Sequence, residues 1–432
     1  MRNQQPTDRP TAFLGIVSGT GLVIANMVGA GVFLSFGFMA QDLGAAEILA
    51  SWVAGGLIAL VGVLAYSALA VHIARSGGEY RYLSETLHPS LGYLAGWASL
   101  LIGFSAAIAI DAHAVGAFVN TIVPGPDPRY LGLALIIALT ALHAYRLNAS
   151  RTTQNILVAI KLCLIISFIA VGLTLGTKAW PSWSSPGGGE LPHFQTLLNN
   201  QYWIAFAFSG WNASIYAAEE FKNPTRDVPR AMMWGCVSVA LLYLALNWVF
   251  AANLDPTVAT AVFDHENTRI TLAHLVSERL LGPIGATLTS VAMIVVFTSA
   301  MSAMMLIGAR VYNEMAKDGF LPAVLSAKPG APPQIALLLQ GVIAIFLLFS
   351  HTLLQAVQSV SAILMLSSGL TALSVVRLPG AGLLARIAGV TYAACMVLLL
   401  WAGLSASWKL FATVGTVIAV ALFAYMISVR ED

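Results

Sequence analysis

The chain has 432 residues, of which 58% are apolar and 9% charged, with a formal net charge of +2. Soluble domains carry about a quarter charged residues, so a mean hydropathy of +0.81 excludes a soluble enzyme, a disordered chain and a secreted disulfide scaffold. The small net charge gives no footprint for nucleic acid, and Cys163, Cys236 and Cys395 are dispersed in apolar runs without metal or redox spacing.

Charge-free stretches locate the membrane spans. Residues 10–41, 48–74, 191–218, 231–254, 280–309, 387–408 and 410–429 contain no Asp, Glu, Lys or Arg. Each reaches the roughly 20 residues that cross hydrocarbon as a helix. The gap 329–376 holds two spans, with Ser350, His351 and Thr352 between them. In chain order the sequence predicts a polar tail over 1–12, then helices at about 13–38, 47–72, 91–121, 131–145 and 153–176. Helices follow at about 199–220, 229–252, 281–311, 333–350 and 353–375, with a last pair at 387–404 and 408–428. The expected fold is an all-α polytopic membrane protein of twelve transmembrane helices. Barrel strands alternate polar and apolar residues, and these runs do not. The first span is too long for a signal-peptide core, so no cleavage is expected.

Lysine and arginine placement gives an orientation. One side collects fifteen cations, among them Arg2, Arg9, Arg75, Arg81, Arg146, Arg151, Arg226, Arg310, Lys317 and Arg430; the other has Arg129, Lys178, Arg269, Arg279 and Lys409. Both termini are therefore expected in the cytoplasm. The external loops 177–198, with Pro186 to Gly189, and 253–280, with Asp255, Asp264, Glu266 and Glu278, read as solvated loops.

Two spans carry breaks. The first contains Gly29-Ala30-Gly31 near its middle, and the sixth contains Phe208-Ser209-Gly210-Trp211-Asn212. Glycine costs about 1 kcal/mol in a helix interior and permits irregular backbone. Small residues at such spacing also serve close helix packing. The second break weighs against packing alone, because spans one and six correspond if the chain is two five-helix repeats, 13–176 and 199–375, followed by 387–428. Breaks in corresponding places of two halves point to a transport site. An unwound helix offers N–H groups with partial positive charge and C=O groups with partial negative charge. Together these suit a zwitterion, with no charged side chain required.

These residues resemble the amino acid–polyamine–organocation (APC) superfamily of transporters. Its members share the LeuT-type fold of five plus five inverted helices. Four stretches carry the resemblance: Val28-Gly29-Ala30-Gly31-Val32-Phe33; Ser76-Gly77-Gly78-Glu79-Tyr80-Arg81-Tyr82-Leu83 with Gly96-Trp97; Phe208 to Ala213 leading to Glu219-Glu220-Phe221-Lys222-Asn223-Pro224; and Arg310-Val311-Tyr312 with Met315-Ala316-Lys317-Asp318-Gly319-Phe320. The Ser-Gly-Trp-Asn element is closest to the neutral-amino-acid, L-type-like branch. The resemblance implies that Ala30 and Gly31, with Gly29 adjoining, offer N–H groups to a substrate carboxylate. It implies carbonyls for the substrate amine at Met27, Phe206 and Ser209, and an aromatic lid at Phe206 or Phe208. Gly210 belongs to the same break, and Phe104 would border the side-chain pocket. Asn212 takes a position that is acidic in some cation-exchanging relatives, which favours a neutral substrate. Ala30, Ala68 and Ala74 depart from the common Ser, Glu and Pro.

Lys161 lies inside the fifth span, where an ionisable residue is a functional candidate, although a lysine can also snorkel to the surface. In several superfamily members a lysine here stands in for the sodium of Na⁺-coupled relatives, which implies proton coupling and no sodium dependence. Ser299 and Ser302 are its candidate neighbours, or helix-packing hydroxyls. Asp111 falls two turns outward of Phe104, either lining an outer vestibule or partnering another helix. No His, Cys, Asp or Glu cluster has metal spacing, no nucleophile–base pair appears, and no cofactor or catalytic residue is assigned. The expected function is sodium-independent secondary transport of neutral L-amino acids by alternating access, with proton coupling or exchange. A cationic amino acid or polyamine antiporter is the same-fold alternative. A sensor or channel-like protein is the alternative from another class. The expected setting is a plasma membrane, or the inner membrane of a bacterium. The expected partners are the lipid bilayer, an amino acid and protons. A homodimer and an accessory single-span chain are both compatible with the sequence.

Overall fold

A computed structural model describes residues 14–125, 127–145, 147–181, 183, 194–254, 269–328 and 331–431, with only the backbone course over 147–155 and 429–431. Arg2, Arg9, Arg146, the Pro186 to Gly189 run, Asp255, Asp264 and Glu266 lie outside the described residues.

The described chain is helical, with one isolated bridge between Leu14 and Phe221 and no strand among the described residues. Its first elements are α1 (Ile16–Met27), α2 (Ala30–Met39), α3 (Ala45–His72), α4 (Glu79–Thr86) and α5 (Pro89–Ala98). A π-turn over Ser99–Gly103 leads into α6 (Phe104–Ile122), followed by α7 (Pro128–Tyr145), α8 (Leu147–Leu175) and α9 (Phe194–Phe208). After a 3₁₀ segment, Ala213–Glu220, come α10 (Pro224–Asn253), α11 (Leu272–Lys317), α12 (Gln334–Ser350), α13 (Leu353–Ser374), α14 (Leu383–Ala406) and α15 (Trp408–Glu431).

Local chemistry sets several ends. Pro89 and Pro224 sit in the first turns of α5 and α10, where a missing N–H costs nothing. Thr352 and Gln355 form a reciprocal capping box at the start of α13, so the polar Ser350–His351–Thr352 step in a long apolar gap is a helix junction. Gly282, at φ 72°, kinks α11 before Pro283.

Among the described residues, nine helices are long and apolar enough to cross a membrane, or ten if α1 and α2, bent by 41°, count as one. The other two expected spans correspond to the 17-residue α12 and to the interrupted pair of α9 and the 3₁₀ segment. The helices thus do not give twelve uninterrupted crossings. The chain is a multi-pass membrane protein.

The packing pairs like with like. The first half-helix α1 lies against the 3₁₀ segment, and α2 lies against α9. In the same way α3 packs on α10, α6 on α11 and α7 on α12. Small residues allow the closest approaches. A Cβ on Gly31 would lie 2.7 Å from the Cα of Ala207, so only glycine lets α2 meet α9. Gly31→Ala is therefore expected to cost about 1–3 kcal/mol by overpacking and to lower the thermal unfolding midpoint of purified protein by several degrees. Gly21→Ala, whose added carbon meets no atom within 4 Å, is the control and should not lower it.

Candidate functional site

The breaks in the first and sixth spans face each other. Residues 28–29 separate α1 from α2, and residues 209–212 separate α9 from the 3₁₀ segment. Gly210 takes φ +95°, and a Cβ there would lie 2.6 Å from Nδ2 of Asn26, the residue before Met27. The turn at the sixth break thus rests on the end of α1. Two backbone bonds on Leu14, from its N–H to the Glu220 carbonyl and to its carbonyl from the Lys222 N–H, both 2.9 Å, tie the far end of α1 to the 3₁₀ segment.

A backbone group freed inside hydrocarbon costs several kcal/mol unless it finds a partner. The structure supplies partners from surrounding helices. The Lys161 ammonium donates to the carbonyls of Ala25 (2.8 Å) and Val28 (2.7 Å). The Asp111 carboxylate accepts from the Ala30 N–H at 2.8 Å. The Tyr243 hydroxyl shares its proton between the carbonyls of Met27 (2.8 Å) and Ala207 (3.0 Å). One cation, one anion and one neutral donor therefore hold the first break from α8, α6 and α10.

Lys161 is fully buried, so it does not snorkel. Helix α8 starts at Leu147 instead of 153, which sets the lysine deeper than expected. Asp111 is also buried and bonds the Ala30 N–H of α2, as a partner of another helix rather than part of an outer vestibule. The reason is the height of Phe104. Its ring packs on Tyr216 and Tyr312, past the sixth break, so two turns further along α6 is the level of Gly29. Phe104 accordingly sits below the break and not beside it. The Ser302 hydroxyl pairs with His143 Nε2 at 2.9 Å, toward α7, the helix-packing role of the two expected for it. Ser299 Oγ is buried without a hydrogen-bond partner, and its neighbour Ala300 lies 3.3 Å from the place of a Cβ on Gly29.

In the sixth break, the Phe206 carbonyl accepts from the Ser209 N–H at 3.0 Å. The Phe206 ring is buried, and Phe208 packs on Trp52 and Tyr243. Asn212 turns away from the first break. Its Nδ2 donates to Glu79 Oε1 and to the Tyr216 hydroxyl, both at 3.1 Å.

The sequence reasoning missed four residues. Asn26 Oδ1 is buried at the break without a hydrogen-bond partner. A polar residue next to a glycine cluster in a charge-free span was its signal. Tyr243 and Tyr66 had no signal, since each reads as an ordinary core aromatic. Glu79 was visible only as a motif letter. It opens α4, is 2% exposed, and accepts from the Tyr66 hydroxyl at 2.7 Å. Burial pushes its carboxyl up to about 7, against the hydrogen bonds from Tyr66 and Asn212, which pull it down.

The remaining motif residues close one mouth of the bundle. Arg81 Nη2 meets the Asp318 carboxylate at 2.6 Å, and the Tyr80 hydroxyl donates to the same carboxylate at 2.8 Å. Tyr93 stacks on Phe320, and Arg310 pairs with Glu220 at 3.4 Å. The opposite mouth contains a cavity of about 250 Å³ lined by Asp42, Asn199, Asn200, Trp203, Arg269 and Gln358.

Fold and site together define a polytopic membrane protein built around two facing, interrupted helices. The chain belongs to the amino acid permease family, whose profile matches residues 14–429. It is 28% identical over 255 residues to the b(0,+)-type amino acid transporter 1 of Oryctolagus cuniculus, covering 56% of this chain and 52% of the relative. It is 28% identical over 260 residues to the Asc-type amino acid transporter 1 of Mus musculus, covering 56% and 48%. It is 26% identical over 324 residues to the large neutral amino acids transporter small subunit 2 of Homo sapiens, covering 72% and 59%. The chain thus spans about half the length of the curated relatives it matches.

Removing one partner from the Arg81–Asp318 pair should favour opening of the closed mouth. Arg81 is 6% and Asp318 24% exposed, so the loss falls below that of a fully buried pair. Asp318→Asn is expected to shift the closed-to-open equilibrium by about tenfold, or about 1.4 kcal/mol. Faster thiol labelling of a cysteine placed at Ser209, in protein lacking the three native cysteines, would report it. An unchanged rate contradicts a gating role for the pair.

Proposed function

We propose that the protein is a sodium-independent secondary active transporter of neutral L-amino acids, working by alternating access with proton coupling or amino acid exchange. The observation that carries this reading is the first break itself. It presents the N-terminus of α2 and the carbonyl end of α1 to one small volume, with no charged side chain from α1, α2 or α9. That arrangement suits a carboxylate and an ammonium on neighbouring atoms. Asp111 occupies the Ala30 N–H in this structure. Substrate binding would exchange one carboxylate for another and free Asp111 to face the ammonium. Gly29, Gly31 and the unpartnered Asn26 Oδ1 and Ser299 Oγ complete the polar lining. Phe206 and Phe208 would form the aromatic cover, with Ser209 and Gly210 as the hinge.

Lys161 is the coupling group in this reading. Its ammonium holds two carbonyls at the place where a bound cation would otherwise do so. Losing its proton would release the end of α1. The relatives, each named an amino acid transporter, support amino acids as cargo. The helix pairings support two inverted repeats, 13–176 and 199–375, with 387–428 as a final pair. The lysine and arginine bias supports cytoplasmic termini and a plasma or bacterial inner membrane. The closed mouth would then be cytoplasmic and the 250 Å³ cavity external. One relative is named a small subunit, which favours an accessory chain over a homodimer.

Asp111 also supports a second reading, a cationic amino acid or polyamine antiporter, because its carboxylate lies at the break. Uptake by purified protein in liposomes separates the two. Labelled neutral, cationic and acidic amino acids and a polyamine are each tested with and without sodium, a pH gradient and internal substrate. Neutral amino acid uptake without sodium is expected, and Lys161→Ala should abolish pH-driven accumulation. Uptake of cations alone, or full accumulation by Lys161→Ala, would overturn the respective part.

A further inference from the structure

Behind the sixth-span break, on the side away from α1, lies a cavity of about 50 Å³ lined by Gly210, Trp211, Asn212, Glu79, Ser368 and Tyr392. A cavity needs about 10–15 Å³ to hold one water and several hundred to hold a typical small-molecule ligand. This one therefore has room for a few waters.

Its one carboxyl, Glu79, has an unusual setting. Among the described residues it makes no salt bridge. The groups around it are neutral. Tyr66 faces it from α3, Tyr216 from the 3₁₀ segment and Tyr392 from α14. Asn212 donates to it from the break, and α13 contributes Ser368, whose Oγ lies 3.2 Å from the Tyr392 hydroxyl. Arg81, on the same short helix, is directed to the Ser76 carbonyl, Glu85 and Asp318 instead. A carboxylate sealed among neutral donors without a cation is expensive, and adding a proton removes that cost.

We propose that this cavity is a proton-binding site in which Glu79 is the acceptor and Asn212 links its protonation to the shape of the sixth-span break. With the proton on Glu79, Oε1 accepts from Tyr66 and Asn212, and the break is held against α4. When the proton leaves to cavity water, the charge demands further donors. Asn212 and the water then rearrange, and the break with them. The same short helix carries Arg81, which closes the mouth through Asp318. The proton site, the break and the closed mouth are thus joined through α4.

The inference does not rest on the amino acid reading, so its test needs no substrate. Trp211 lines the cavity, with its ring 4.7 Å from that of Tyr66. Its fluorescence, taken as the difference between the protein and Trp211→Phe in lipid nanodiscs, reports the cavity during a pH titration. A single transition near pH 7 is expected, absent in Glu79→Gln. In Tyr66→Phe the midpoint should rise by about half to one unit, because one donor to the carboxylate is lost. An unmoved transition in Glu79→Gln, or none in the wild type between about pH 5 and 9, overturns the proposal. If Glu79→Gln does not fold, an unmoved midpoint in Tyr66→Phe overturns it. A midpoint that shifts with sodium or potassium at constant ionic strength assigns the cavity to a metal cation instead. A protein that transported no amino acid but lost its transition with Glu79→Gln would overturn the transport reading and leave this one standing.

Discussion

The rest of the structure depends on one constraint: a helix broken inside hydrocarbon must find partners for the backbone groups it frees. Four of those groups around the first break are matched from outside the helix. Lys161 takes the carbonyls of Ala25 and Val28, Tyr243 takes that of Met27, and Asp111 takes the N–H of Ala30. Those bonds explain why a lysine and an aspartate can be wholly buried in so apolar a chain. Each charge is set against the end of a helix whose dipole opposes it. The break is therefore held by the protein's own groups, which a small zwitterion could replace.

The second consequence concerns movement. The halves of the two broken spans lie side by side, α1 with the 3₁₀ segment and α2 with α9. The Leu14 bridge ties the first pair and the Gly31–Ala207 contact the second. Each pair is thereby joined directly. The motif residues sit where a shift of these pairs would be felt: Arg81 and Asp318 across one mouth, Arg310 and Glu220 beside it. Glu79 and Asn212 connect that mouth to the sixth break through a hydrogen bond of 3.1 Å. In this account alternating access is a change in which backbone groups are matched by the protein and which by substrate or water.

Much of this was legible in the sequence, for a physical reason. Spans must be apolar and free of charge over a set length, so charge gaps located them. Glycine and small polar residues inside a span disclose a break, so Gly29 to Gly31 and Ser209 to Asn212 stood out. Depth and direction were not legible. The level of Asp111 was counted from Phe104, whose ring packs with Tyr216 and Tyr312, so its place at the first break was not visible. Asn212 faces Glu79 because Gly210 adopts φ +95° and turns the chain over. A side chain at Gly210 would also collide with Asn26, a residue far away in sequence. Ser302 faces α7 and not α8, a matter of helix rotation that periodicity alone does not fix. Tyr66 and Tyr243 were invisible because their hydroxyls, not their rings, carry the role.

The central claim is that the first break recognises a zwitterion with backbone groups. Equilibrium binding to the purified protein tests it most directly, using a neutral L-amino acid, its methyl ester and its N-acetyl derivative. The account predicts saturable binding of the free amino acid, with both derivatives weaker by at least about tenfold, since each loses one charged contact of about 1.5–3 kcal/mol. Binding of the ester as tight as that of the amino acid would contradict it. It would mean that the N–H groups at Ala30 and Gly31 meet no substrate carboxylate and that Asp111 never leaves the Ala30 N–H.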